Sequence, residues 1–405
     1  MGRIVFLHAA DLHLDSPYSG LKMLPAAILE KVRESAFQSF QGMIDAAIRH
    51  EADFILLAGD LYDGENRSLQ TQVRFRSEME RLKKAGISAY IIHGNHDHLG
   101  GSWIQVEYPE NVHVFGGSTE MKIHITKDGT AVSIYGCSYS KRHVPEKLVD
   151  TYQKIQGADY HIGMLHGNLE GSSGHSPYAP FSLTDLEEKD FDYWALGHIH
   201  KRMVISKNPL AIYPGSMQGR NRKETGKKGC YMIRMEGEAR SYSFIETSQL
   251  NWESATFHIG EDDNFDSLLK SCRDLIEEKR SAGRNVLLNL VLEPACTAAE
   301  IMLKDEILTG LTDILQEGEE DMQPFIWTAG IQVKETQRAD SFSLNSPFLA
   351  ELLKSEPDED DFEKGLEQLF KHKHARRYLE YPDKEERQSL LEDSRRLLQQ
   401  ILYSK

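Results

Sequence analysis

Five short apolar runs, each followed by a motif built from Asp, Asn or His, constrain this chain more than any other feature. Ile4-Val-Phe-Leu-His8 leads into Asp11-Leu-His13, Phe54-Ile-Leu-Leu-Ala58 into Gly59-Asp60, and the run from Ile87 to Ile92 into Gly94-Asn95-His96-Asp97. Residues 160–165 lead into His166-Gly167, and residues 192–196 into Gly197-His198-Ile-His200. Apolar runs of about four to eight residues bounded by glycine and polar residues read as buried strands. Helical spacing lies between them, over 25–50 behind Pro25 and over the charged stretch 68–85. Further strands are expected at 112–115, 122–126, 131–135, 203–206 and 229–234. Strands alternating with covering helices predict an α/β sandwich. Ligand sites in open α/β sheets lie where strands end, so five such loops can converge on one centre.

The residue types suit divalent metals. Asp11, His13, Asp60, Asn95, His166, His198 and His200 supply two carboxylates, one amide and four imidazoles, with no thiolate. Mixed oxygen and nitrogen donors fit manganese, iron or zinc. In Asp11-x-His13 and His198-x-His200 the paired side chains share a face if the backbone there is extended. A carboxylate such as Asp60 can bridge two cations, and two metals ~3.5–4 Å apart form the clamp used for in-line phosphoryl displacement. Any one motif alone is ordinary turn or surface sequence; the ordered set is what carries the reading. Of 17 histidines, 14 lie in residues 1–200, the half that holds the motifs. Outside the motifs, His8 reads as a core histidine, His93 as core or neighbour to the site, and His98, His113, His124, His143, His161 and His175 as structural.

The net charge of −16 looks wrong for a nucleic-acid partner until it is mapped. Residues 1–250 carry a net of −2 and residues 251–405 the remaining −14. The front is almost neutral, and bound cations would make it more positive. The stretch from Lys201 to Lys228 holds eight basic residues and one acidic, Glu224, beginning directly after His200. Such a run can track a phosphate backbone or be a solvated hairpin; its start beside the motifs favours the former, with Arg220 and Arg222 the best candidates for DNA contact.

At about 100–200 residues per domain, 405 residues predict two or three domains. A second unit at 251–335 reads strand, helix, strand, helix, strand (253–259, 264–281, 285–293, 298–316, 324–334), a small α+β domain. Residues 336–405 differ: an acidic run, Glu356-Pro-Asp-Glu-Asp-Asp361, then two leucine-rich helical stretches split at Pro382. Nothing approaches about 18 consecutive apolar residues, so no membrane span is expected. The start lacks the pattern of a signal peptide. Four scattered cysteines without a Cys-x-x-Cys pair argue against disulfides and against a thiolate zinc site. A cytoplasmic location is the simplest expectation.

The motif order Asp-x-His, Gly-Asp, Gly-Asn-His-Asp, His, Gly-His-x-His resembles that of calcineurin-like metallophosphoesterases. Ala10-Asp-Leu-His-Leu-Asp-Ser-Pro17, Gly59-Asp-Leu-Tyr-Asp63 and Tyr213-Pro-Gly-Ser-Met-Gln-Gly-Arg-Asn-Arg222 further resemble SbcD-type nuclease subunits of DNA double-strand-break repair, above all the bacterial YhaO-like DNA repair exonucleases. The resemblance implies a four-layer sandwich over 1–250, a capping domain over 251–335 and a helical tail over 336–405 that meets an SbcC-like coiled-coil ATPase. It implies two manganese ions: one held by Asp11, His13, Asp60 and His200, the other by Asp60, Asn95, His166 and His198. A metal-bridging water would be the nucleophile. His96 would be the acid facing the leaving group, and Asp97 would orient it. Relatives dimerise through helices of the phosphoesterase domain, which makes a homodimer an expectation here. Two positions depart from the pattern: many relatives have glycine at Asp15, and some archaeal and eukaryotic ones have, at Asp63, a histidine that helps stabilise the transition state. Two other functions fit parts of the sequence, a phosphoesterase for nucleotides or other small phosphoesters and a scaffold that recruits DNA or an ATPase. Protein phosphatases of this superfamily have arginine after the second motif's aspartate and glutamate ending the third, whereas Gly64 and Asp97 stand here.

Overall fold

The computed structural model describes residues 2–16, 18, 21, 24–64, 67–104, 106–171, 178–295, 303–334, 359–371, 382, 386–391 and 393–394. Among the described residues, twelve strands precede residue 250. In chain order they are β1 (Arg3–Ala9), β2 (Phe54–Ala58), β3 (Ser88–Ile92), β4 (Val112–Val114), β5 (Glu120–Ile125), β6 (Ala131–Gly136), β7 (Tyr160–His166), β8 (Tyr193–Gly197), β9 (Met203–Lys207), β10 (Leu210–Tyr213), β11 (Gly229–Glu236) and β12 (Ala239–Glu246). They form two six-stranded sheets, ordered β12-β11-β1-β2-β3-β4 and β5-β6-β7-β8-β10-β9. β1, β2, β3 and β4 run parallel, as do β6, β7, β8 and β10. Strands β10 and β12 are additions to the expected set; β12 alternates serines with Tyr242 and Phe244 and so lacks a continuous apolar run.

The layers follow from which faces are apolar. β2 is buried on both faces, as a central parallel strand must be. One face of the first sheet, with Val5, Leu7, Ile55, Leu57 and Ile91, packs on Phe37, Phe40 and Met43 of α1 (Ala26–Arg49) and on Phe75, Met79 and Leu82 of α2 (Leu69–Ala85). Its other face, with Phe6, Phe54, Leu56 and Ile92, packs on Ile134, Ile162, Met164 and Ile212 of the second sheet. The far side of the second sheet is closed by Val149, Tyr152 and by Leu186 of α3 (Leu183–Glu188) against Leu165, Trp194 and Leu196. The result is the expected mixed α/β sandwich of layers.

A third sheet follows: β13 (Leu250–Ile259), β14 (Asn285–Pro294) and β15 (Ile326–Val333), all parallel. Helices α4 (Phe265–Ser281) and α5 (Asp305–Gln316) pack on it through Cys272, Ile276, Leu311 and Leu315. Trp252, Leu287, Phe325 and Trp327 instead join Ile28 and Val32 of α1, so this sheet shares a core with the first part of the chain. Residues 1–171 and 177–336 accordingly make one compact unit, with 172–176 and 337–405 in a second. In the second unit α6 (Glu359–Lys371) is described, and Leu369 on it is exposed, as is Leu390 beyond it. Of the other leucines in these stretches, Leu366 and Leu391 are half-buried, and Leu397, Leu398 and Leu402, with Ile401, lie outside the described residues.

Candidate metal centre

Hydrogen bonds tie the five strand-end loops into one floor. Asp11 N donates to Gly59 O (3.1 Å) and His13 N to Asp60 O (3.0 Å), joining the loops after β1 and β2. His96 N donates to Asp60 Oδ1 (3.0 Å), and His166 Nδ1 lies 2.9 Å from Ala58 O. His198 N lies 3.2 and 3.1 Å from the two oxygens of Asp11. The backbone at Asp11, His13, Asp60 and His198 is not extended: φ is +52°, +43°, +52° and +96°. The expected alternation of an extended Asp-x-His and His-x-His is therefore corrected. These side chains converge through left-handed turns, which non-glycine residues adopt rarely and mainly where function holds them. At Gly94 a Cβ would sit 2.3 Å from Asp60 Oδ1 and 2.6 Å from His166 Nε2, so only glycine lets the third loop approach.

The imidazoles point their lone pairs inward. The outer nitrogen of His166 faces the Ala58 carbonyl, that of His200 faces Glu224 Oε1 at 3.0 Å, and that of His13 faces Asp63 Oδ1 at 2.8 Å. With its proton on the outer nitrogen, each of these rings can offer Nε2 as a ligand atom. Nε2 of His166 then faces Asp60 Oδ2 (3.4 Å) and Asn95 Oδ1 (3.1 Å), both acceptors. Nε2 of His200 faces Asp11 Oδ1 (3.8 Å) and that of His13 faces Asp60 Oδ2 (3.9 Å). His198 Nδ1 meets Asn95 Oδ1 at 3.2 Å. Neither ring nitrogen of His13 makes a well-formed hydrogen bond among the described residues, although Asp63 Oδ1 lies 2.8 Å from Nδ1, so Nε2 stands buried and unpartnered. Acceptors converging on acceptors fit a cation, and the donor set fits a divalent metal.

Electrostatics agree. Burial lowers the His166 imidazole, but Asp60 and then Asp11 outweigh it and raise its pKa to about 9. Burial would raise the Asp60 carboxyl, yet His166, His96 and His13 hold it well below the usual range. Ligand atoms gather in three groups: Asp11, His13 and His200; Asp11, Asp60 and His166; and His13, Asp63 and His96.

Two expected roles shift. Both Asp97 oxygens are engaged away from His96: Oδ2 with His93 Nδ1 (2.8 Å) and Leu61 N (3.0 Å), Oδ1 with Gly94 N (2.8 Å). The Arg67 guanidinium donates to the Asp97 carbonyl, so Asp97 shapes the loop. The groups nearest His96 Nδ1 belong to Asp63, its carbonyl at 3.4 Å and Oδ1 at 3.6 Å. Arg220 turns inward, its Nη1 2.6 Å from Asp63 Oδ1 and Nη2 3.5 Å from Glu224 Oε1, whereas Arg222 is exposed. Asp63 and Glu224 were not among the expected site residues; no local spacing marks them, because their partners His13 and His200 lie 50 and 24 residues away. His8 is buried with Nδ1 on Tyr193 Oη (2.8 Å), a core histidine as expected.

A calcineurin-like phosphoesterase family model matches residues 4–202. The metallophosphoesterase YhaO of Bacillus subtilis (strain 168) is 41% identical over 407 residues, covering 98% of each chain. The DNA double-strand break repair protein Mre11 of Methanocaldococcus jannaschii is 26% identical over 60% of this chain and 66% of its own. The protein of the same name from Sulfurisphaera tokodaii is 26% identical over 51% of each. The match to these two spans half to two thirds of their length. An end-to-end relative and a matching site together establish that this chain belongs to the calcineurin-like metallophosphoesterases, metal-dependent hydrolases.

Proposed function

We propose that this chain is a two-metal DNA phosphodiesterase, an SbcD-type exonuclease that also cuts single strands internally and serves in DNA repair. The inward convergence of acceptor atoms on Asp60 and Asn95 carries the two-metal part. The likeness to proteins named for DNA double-strand break repair supports DNA as substrate. Exposed Lys201, Arg202 and Arg222 in the segment after His200 give a phosphate backbone a basic rim.

The expected ligand sets are kept: Asp11, His13, Asp60 and His200 for one ion, Asp60, Asn95, His166 and His198 for the other. With oxygen and nitrogen donors only, manganese is the proposed metal. Bound, the two ions would supply an activated water and neutralise phosphoryl charge. The chain supplies orientation and a proton. His96 is half-buried at the edge of the group, its Nδ1 directed at Asp63. That leaves Nε2 to hand a proton to the leaving oxygen, general acid catalysis.

Residues 1–250 are proposed as the catalytic domain, 251–335 as its cap and 336–405 as the segment that grips an SbcC-like coiled-coil ATPase. A homodimer and a cytoplasmic location belong to the same reading. The deciding experiment is manganese-dependent digestion of single-stranded DNA, duplex DNA and mononucleotides by the purified chain. Release of nucleotides from DNA supports the proposal. Hydrolysis of mononucleotides alone would make it a small-phosphoester enzyme, and metal-independent DNA binding without hydrolysis a scaffold.

A further inference from the structure

We propose that Arg220 is a positioning residue for the metal centre: its guanidinium holds the Asp63 and Glu224 carboxylates, which hold the His13 and His200 imidazoles with Nε2 facing inward. The inference rests on the two-cation reading of the centre and not on DNA as the substrate.

An arginine that grips substrate phosphate must offer its donors to the open side of a site. Arg220 does the reverse. Its side chain is 15% exposed, beside Asp63 at 16% and Glu224 at 8%. Nη1 is 2.6 Å from Asp63 Oδ1, and Nη2 is 3.5 Å from Glu224 Oε1 and 3.4 Å from His200 Nδ1. Its backbone N–H also donates to Glu224 Oε2 (3.1 Å), which fixes the turn that aims the side chain. Nε is buried without a hydrogen-bond partner among the described residues.

Each carboxylate then does one thing at the centre. Asp63 Oδ1 sits 2.8 Å from His13 Nδ1, and Glu224 Oε1 sits 3.0 Å from His200 Nδ1. Carboxylate–histidine pairs of this kind fix the tautomer and ring orientation of a metal ligand. Two such carboxylates, nearly buried side by side, need a counter-charge, and the planar fork of arginine can serve both at once. Arg220 has a second consequence. Asp63 Oδ1 also lies in a group of ligand atoms with His13 and His96. Paired with the guanidinium, Asp63 orients His13 instead of drawing a cation away from Asp60.

The test uses the full chain and manganese alone. Manganese affinity and stoichiometry are measured by titration calorimetry for the wild type, Arg220→Met, Arg220→Lys and the exposed control Lys207→Ala. The unfolding temperature of each metal-free protein and its affinity for a short single strand are measured alongside. Loss of an outer partner typically weakens metal binding about 10- to 100-fold, and that is the loss expected for Arg220→Met. Arg220→Lys recovers part of it, since an ammonium restores charge but not the fork; Lys207→Ala matches the wild type. If Arg220→Met does not fold, Arg220→Lys carries the test, and it must still bind manganese several-fold more weakly than the wild type. Unchanged manganese affinity with a lower unfolding temperature would make Arg220 a structural ion pair and overturn the proposal. Unchanged manganese affinity with weaker oligonucleotide binding would make it a phosphate contact and overturn it equally. A wild type that binds no manganese removes the two-metal reading and this inference together, whereas manganese binding without DNA hydrolysis removes only DNA as substrate.

Discussion

Asp60 links the loops of the centre through both oxygens: Oδ1 accepts from the His96 backbone, and Oδ2 faces His166 and His13. Asp60→Ala should therefore lose bound metal and activity together; a variant that keeps two manganese ions by elemental analysis would show that Asp60 does not bridge. His96 stands apart, half-buried and oriented by Asp63. His96→Asn should retain both metals and bind DNA, yet turn over ~10²–10⁴-fold more slowly, the usual cost of losing a general acid. Metal lost with activity would make His96 a ligand. The core offers a third test. Burial lowers the His8 imidazole from 6.5 to about 3, so the folded protein keeps it neutral where the unfolded chain protonates it. Its contribution to stability is complete above about pH 6.5 and declines as pH falls toward 3. In chelator, His8→Leu should lose less stability than wild type between pH 7 and pH 5, by on the order of 2 kcal/mol; equal losses would mean that His8 takes up its proton in the folded state. The residues gathered at the centre were legible because each follows an apolar run within a few residues. Asp63 and Glu224 were not, because an outer carboxylate is defined only by what the fold brings to it, and Asp97 was given to His96 on the family resemblance, whereas its carboxylate meets His93.

At the scale of elements, the strands were legible wherever an apolar run ended in glycine or a polar motif, and the bends at their ends were not. The positive φ at Asp11, His13, Asp60 and His198 has only a weak signature in residue type, since Asp and His adopt it more often than most non-glycine residues but are held there by the hydrogen bonds between loops. The segment from 201 to 228 shows the same division. Its basic composition favoured a track for a phosphate backbone, but Lys228 is buried with Nζ on His200 O (3.1 Å) and Arg220 faces Asp63. Arg222 is exposed and remains the candidate for a phosphate contact. Arg222→Ala should flatten the slope of log affinity against log salt for a single strand by up to ~1. An unchanged slope would return the segment to a solvated hairpin.

At the scale of the whole molecule, the question is which apolar surfaces the first compact unit closes by itself. The 250–333 sheet packs on α4 and α5 and reaches α1 through Trp252, Leu287 and Phe325, so it builds its core within the first compact unit. Residues 337–405 fall in a separate compact unit, and Leu369 and Leu390 in it are exposed, 48% and 41%. An amphipathic segment marks an interaction surface when its exposed apolar patch is large enough. The tail is nearly balanced, with 12 basic and 15 acidic residues over 336–405, so it offers DNA no basic surplus, which favours a protein partner. A chain cut near Ser341 should therefore stay folded and keep manganese-dependent cleavage of short single strands, yet lose stable association with a coiled-coil ATPase of the SbcC type. Co-purification of the ATPase with full-length and shortened chains measures this. A shortened chain that aggregates or loses its metals would make the tail part of the enzyme's own core, and one that binds the ATPase as well as full length does would move the interface to the cap or the catalytic domain.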